Sequence, residues 1–421
     1  MRTGMRNIEV DADRLWAATM QMGEIGATAN GGCHRLALSD EDRRARDLFS
    51  AWMREAGCTV SVDGIGNIFA RREGTDPSLS PVMVGSHLDT VPMGGRFDGP
   101  AGVMAGVELV RALNDHGVRT RAPVEIVAWT NEEGSRFSPF TMGSSVFAGQ
   151  LALKDAQAAR DITDPLHGPS VGEALRAIGY EGDAPTGGRR PACYLEMHIE
   201  QGPQMADEDL QVGIVTGSFQ SRYFVATITG EQAHVGPTPM AGRRDALVIA
   251  SRLVLEIDRV GRAYGPDGRS NAPHIELSPN VRGVIPGVVK LSCDVRHSDA
   301  RSLQRMEEEL RACAAIIARE ARAAIALERY YEFGPIHFSP DTIALLRRTT
   351  AELGYRHRDI LTVAGHDAVP LNTICPSGMI FVASRAGGIS HNERESSTRE
   401  DLAAGANVLL HAVMARAGVV D

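Results

Sequence analysis

The chain has 421 residues, 43% hydrophobic and 23% charged, with a formal net charge of −9. That length exceeds what one hydrophobic core usually organises, so two domains are expected, and the ordinary apolar content excludes a disordered chain. The negative charge, spread along the chain, argues against a nucleic-acid or anionic-membrane surface, and no apolar run approaches the roughly 20 residues of a membrane span. The N-terminal stretch MRTGMRNIEVDADRLW lacks the apolar core of a secretory leader. Six cysteines (Cys33, Cys58, Cys193, Cys293, Cys313 and Cys375) are scattered singly, which fits a reducing cytoplasm with thiols as small core residues.

In chain order, the first apolar strand-like run is VMVGS at 82–86. The loop SHLDTVPMGGRFDG follows, and then the helical pattern GPAGVMAGVELVRALNDHG, with Val103, Val107 and Val110 on one face and Gly117 as a stop. The run VEIVAW at 124–129 ends in TNEEGSRF, and CYLEMHI at 193–199 ends in EQGP. Alternating strands and helices predict an α/β layer with largely parallel strands. Near residue 212 the texture changes: RYFVATITG, NAPHIELSP and VVKLSCDVR alternate like half-exposed strands. A helix around 243–260 and a second with Leu303, Met306, Leu310, Cys313 and Ile317 on one stripe punctuate them. The α/β texture returns near 331, with a strand expected at 379–383. The expected organisation is a discontinuous catalytic domain, 1–211 plus 330–421, with an inserted α+β module at 212–329.

Glu132 and Glu133 stand side by side where a core strand should end, at the cost of mutual repulsion. His87 and Asp89 follow another strand, and Asp98 sits in a Gly-rich turn before a helix. In open α/β sheets ligands gather outside the carboxyl ends of strands, so these loops could converge there. Imidazole mixed with carboxylate is what a divalent metal needs, and a metal pair also needs a bridging carboxylate. One of the two adjacent glutamates could then bind a cation, offsetting the repulsion, while the other takes a proton from water made acidic by that cation. His198 and His391, each at the end of a strand, have surroundings suited to the same site.

The motifs SHLDTVPMGGRFDGPAGV, TNEEGSRF, HIEQGP, GEQAHVGPTPM, VIPG…DVR, AGHDA and GGISHNERE, in that order, resemble the metal-dependent amidohydrolases of the hydantoinase/carbamoylase branch. That branch belongs to the large aminoacylase and metallopeptidase family with a di-metal centre, and the resemblance covers nearly the whole chain. It implies a di-metal peptidase-like α/β catalytic domain with an inserted α+β domain for dimerisation and closure. It also implies two divalent ions per subunit, Zn²⁺ or Mn²⁺ with Co²⁺ or Ni²⁺ as further options, held by His87, Asp98, Glu133, His198 and His391, with Asp98 bridging.

By the same resemblance Glu132 is the general base, Asp89 orients His87, and His234 crosses from a dimer partner to stabilise the oxyanion. Arg296 grips the substrate carboxylate, and Gln201, Arg222, Gly365 and His366 match further substrate contacts. The peptidase branches usually carry an acidic residue in place of His198, which favours the carbamoylase side. Gly283 stands where the family commonly has Asn before Val-Ile-Pro, a departure in the substrate pocket rather than at the metals. The implied reaction is hydrolysis of an N-carbamoyl-L-amino acid in a cytoplasmic homodimer, with allantoate or β-ureidopropionate as alternative substrates. A dipeptidase or aminoacylase of the same fold and a non-catalytic binding protein are the competing readings.

Overall fold

The computed structural model describes residues 8–164 and 166–420. The first seven residues, part of the stretch read as lacking a leader, lie outside these. The chain divides into two compact units. One comprises the chain up to Thr216, Phe338–Ile360 and Gly365 onward; the other is Gly217–His337 with Leu361–Ala364. The strand Ala324–Phe333 runs through residue 330 and pairs with Gln220–Thr229, so the second unit extends past the 329 expected from sequence.

The first unit is built on an eight-stranded sheet, ordered Thr59–Val62, Ile68–Arg72, Val124–Trp129, Val82–His87, Cys193–Ile199, Ser377–Val382, Val212–Ser218 and His357–Thr362. Its four central strands, Val124–Trp129 to Ser377–Val382, are mutually parallel. Every residue of those four is buried, and strands covered on both faces lose the alternation that marks a half-exposed strand. This is why they are the strands visible as unbroken apolar runs.

The helix Pro100–Asp115 departs from the one-faced pattern expected of it. Almost its whole circumference is buried, because it packs on the sheet and also against the helices Ala12–Gly23 and Arg399–Ala417. Gly106 lets it lie close to the sheet: a Cβ there would meet Ile126 Cγ2 at 2.6 Å.

The second unit carries a four-stranded antiparallel sheet, ordered Arg269–Ser278, Val288–His297, Gln220–Thr229 and Ala324–Phe333. The helices Ala246–Ala263 and Ala300–Ala321 bury their apolar stripes on it. Leu303, Met306, Leu310 and Ile317 join Phe224, Ile228, Leu253 and Leu291 in its core. Cys313 is only half-buried, and Ala314 takes the core position instead. All six cysteines are free thiols. Among the described residues no helix is long and apolar enough to cross a membrane.

Candidate metal centre

The carboxyl ends of the four parallel strands supply most of the titratable groups expected from sequence. His87 and His198 close two of these strands, Glu132 and Glu133 follow a third, and His391 lies in the loop after the fourth. Asp98 precedes the helix Pro100–Asp115. The structure gathers these residues into two groups, His87–Asp98–His198 and Asp98–Glu133–His391, whose donor atoms lie within 4.8 Å of one another. Asp98 belongs to both. Its Oδ1 is 3.1 Å from His198 Nε2 and 3.7 Å from His87 Nε2, while its Oδ2 is 3.3 Å from His391 Nε2. His391 Nε2 in turn is 3.4 Å from Glu133 Oε2.

Local backbone chemistry makes this convergence possible. Gly99 sits at φ 82, and a side chain there would collide with the His87 ring. Asn131 adopts φ 53 and holds the turn before the glutamates by donating from Nδ2 to the Phe137 carbonyl at 2.7 Å. The Asp89 carboxylate accepts from the backbone N–H groups of Glu132 and Glu133, both at 3.3 Å. His87 Nδ1 donates to the Asp89 backbone carbonyl at 2.9 Å, with the Asp89 carboxylate 3.9 Å away, so Asp89 borders the imidazole while its side chain also secures the paired-glutamate turn. His198 Nδ1 likewise donates to the Ile199 carbonyl at 2.9 Å. Donation through Nδ1 turns the Nε2 lone pair of each ring toward Asp98, the tautomer a metal ligand requires.

The electrostatics are those of a site built around positive charge. Burial raises the pKa of Glu132, and the neighbouring Asp367 and Glu133 raise it further. Burial also raises Glu133, with Asp98 adding to it. Burial pushes Asp89 up to about 7 and His87 down to about 4. Asp98 moves the other way: burial opposes its charge, but His198 and His391 hold it well below the usual carboxylate range. The hydrogen bond to Asp98 lifts His391 to about 9. Among the described residues, Glu133 Oε1, His198 Nε2 and Gln201 Oε1 are buried without a hydrogen-bond partner; His198 Nε2 faces Asp98 without the alignment a hydrogen bond needs. Buried polar atoms are rarely left unmatched, and these belong to residues in or next to the cluster of carboxylates and imidazoles. The residues fit divalent cations.

Several other residues expected from sequence adjoin these groups. Gln201 Nε2 donates to Asp98 Oδ2 at 2.6 Å. His366, next to Gly365, packs its ring 4.5 Å from that of His198.

His234, Arg222 and Arg296 belong to the second unit. His234 is exposed on the short strand Ala233–His234, and its Nδ1 accepts from the Gly236 N–H at 3.1 Å. Gly283 sits beside it at φ 85, with open space where a Cβ would be. Arg222, expected to touch substrate, is instead committed to its own unit: Nη1 donates to Gln304 and Glu307 at 2.7 and 2.8 Å, and Nε to Glu332 at 3.1 Å. Arg296 has contacts within the same unit: Asp294 Oδ1 lies 3.0 Å from its Nε and the Val363 carbonyl 3.0 Å from its Nη1.

Sequence reasoning passed over Glu395, Ser390 and Asp367. The cluster NERES advertised Glu395 only as one more charge in a polar loop, and nothing local signals a carboxylate that folds inward.

Two cation groups sharing one aspartate at the ends of parallel strands are the layout of a di-metal hydrolase. The chain belongs to Peptidase family M20/M25/M40, whose family model matches residues 83–415. It is 40% identical over 415 residues to an N-carbamoyl-L-amino-acid amidohydrolase of Rhizobium meliloti, covering 99% of both chains. It is also 40% identical over 412 residues to the N-carbamoyl-L-amino acid amidohydrolase of Geobacillus stearothermophilus, covering 96% of this chain and 98% of that one. A solved amidase of the hydantoinase/carbamoylase family from Burkholderia vietnamiensis superposes with a TM-score of 0.91 at 47% identity, covering 98% of each chain.

Proposed function

We propose that the chain is a metal-dependent amidohydrolase that cleaves the ureido (N-carbamoyl) amide of a small carboxylate, releasing ammonia and carbon dioxide. An N-carbamoyl-L-amino acid is the leading substrate. The observation that carries this reading is Asp98 shared between two donor groups, with Glu132 Oε2 standing 3.5 Å from His87 Nε2 beside the first of them. Full-length likeness to N-carbamoyl-L-amino-acid amidohydrolases supports the substrate class.

His87, Asp98, Glu133, His198 and His391 would hold two divalent ions, Zn²⁺ or Mn²⁺ with Co²⁺ or Ni²⁺ also compatible with such donors. Bound there, the ions would polarise the ureido carbonyl and acidify the attacking water. Glu132 accepts the proton of that water and returns it to the leaving nitrogen, a task for which a carboxylate of raised proton affinity is suited. Gln201 Oε1, buried and unpartnered, is an acceptor for a ureido N–H. Arg296 keeps Nη2 for the substrate carboxylate, and the planar guanidinium gives that contact direction.

In this reading the second unit closes the site and pairs two subunits, so that His234 of one chain serves the oxyanion of the other. Mixing inactive Glu132→Gln with inactive His234→Ala subunits should restore about a quarter of wild-type activity, since random pairing makes half the dimers mixed and each holds one intact site. The decisive experiment for the reaction is ammonia release from carbamoyl amino acids, allantoate and dipeptides, with Mn²⁺ and with Zn²⁺. Turnover of dipeptides alone would overturn the ureido reading.

A further inference from the structure

Glu395 has no part in the chemistry above, yet it is 6% exposed and touches both sides of the centre. Its Oε1 accepts from the backbone N–H groups of Phe97 at 3.0 Å and Asp98 at 3.1 Å. Its Oε2 accepts from Ser390 Oγ at 2.6 Å, and the same hydroxyl lies 2.9 Å from Asp98 Oδ2. The carboxylate thus joins the loop that carries Asp98 to the loop that carries His391, 297 residues apart in the chain at the Asp98 contact. We propose that Glu395 is a positioning residue that fixes Asp98 against the His391 loop, so that one carboxylate can serve both cation groups. The inference rests on the reading that those groups hold cations.

Three features favour this role over simple loop packing. The anchor acts on the backbone of Asp98 itself, so it sets where the shared carboxylate starts rather than how a distant segment packs. Ser390 offers one hydroxyl proton to two carboxylates, donating to Glu395 Oε2 at 2.6 Å or to Asp98 Oδ2 at 2.9 Å, so one side chain of the His391 loop meets both. Gly95 leaves the space that Glu395 occupies: a Cβ there would overlap the Glu395 carboxylate. A residue behind a ligand that orients it typically matters about 10–100-fold in metal affinity, and Glu395 stands in that relation to Asp98.

The test is equilibrium binding of Mn²⁺ alone, in competition with a chromogenic chelator and without substrate. Wild type should bind two ions. Glu395→Ala should lower affinity about 10–100-fold, most strongly at the group containing His391, whose loop loses its anchor on the Asp98 backbone. Glu395→Gln keeps an acceptor oxygen for both N–H groups and should bind within about three-fold of wild type. Gly95→Ala should reproduce the Glu395→Ala loss by displacing the carboxylate. Wild-type affinity in Glu395→Ala would overturn the proposal. Should Glu395→Ala fail to fold, Gly95→Ala with unaltered affinity overturns it equally. A wild type that binds no Mn²⁺ overturns the metal reading and this inference together, whereas unchanged binding by the variants overturns this inference alone.

Discussion

The two units treat charge in opposite ways. In the second, each functional-looking arginine already has its carboxylates: Arg222 meets Glu307 and Glu332, and Arg296 meets Asp294. In the first, Glu133 crowds against the buried Asp89, Asp98 and Glu132, with one imidazole nitrogen (His198) and one carboxylate oxygen (Glu133) left unmatched. A balanced network describes a fold at rest, whereas an unbalanced one describes a site completed by something else. The charges of the second unit are thus largely met within it, whereas those of the first leave room for a cation.

The largest break in that comparison should come from the paired glutamates. Glu132→Gln should keep its metal and lose turnover by roughly two to four orders of magnitude, while Glu133→Ala should lose metal affinity as well. Metal analysis beside steady-state kinetics separates the two, and equal metal loss in both would sink the division of labour.

Metal removal comes next. Each ion present at a thousand times its dissociation constant contributes about 4 kcal/mol, so chelation should lower the melting temperature markedly. Hydrogen exchange should then quicken in the loops around 88–99, 130–141 and 385–396. The sheet of the second unit, whose charges are already paired, should exchange at its former rate. Uniform loosening of both units would contradict the contrast.

Asp63 offers a buried carboxylate outside both cation groups, ringed by donors: Ile65 N, Asn67 N and Asn67 Nδ2. Burial still pushes its pKa from the ordinary 3.8 to about 6, against the pull of those donors. The native state then holds the proton that the unfolded state releases, so this group's contribution to stability is largest at low pH and falls as pH rises through that window. Relative to Asp63→Asn, wild type should lose up to about 3 kcal/mol between pH 4 and 7, whatever constant offset the altered hydrogen bonds introduce. A difference that stays flat in denaturant titrations across that range would refute the assignment.

The smallest effect should be that of Arg222→Ala. Glu307 would keep Arg311 and Arg329 as partners, so the loss should be about 1–2 kcal/mol of stability rather than the 3–5 of a stranded buried ion. kcat/KM should stay within about three-fold, because the guanidinium serves its own unit; a tenfold rise in KM, worth about 1.4 kcal/mol, would return Arg222 to the substrate.

The sequence alone carried a great deal here, for identifiable reasons. Four fully buried parallel strands read as apolar runs, and the residues at their ends are the ones the structure gathers. Strands with weaker signals, such as Thr59–Val62 and His357–Thr362, were invisible because they are short and partly exposed, so burial imposes no pattern on them. The resemblance implied His87, Asp98, Glu133, His198 and His391 as ligands together, and residue types that stand out at strand ends pointed to the same loops. What only the tertiary structure decided is which atoms face each other. Asp89 turns its carboxylate to the glutamate turn and its carbonyl to His87, Arg222 spends its donors on neighbouring glutamates, and Glu395 folds inward from a polar loop. Residue type fixes what a group can bind, but a hydrogen bond forms over about 3 Å, and contacts between residues hundreds of positions apart are settled by packing rather than by local pattern.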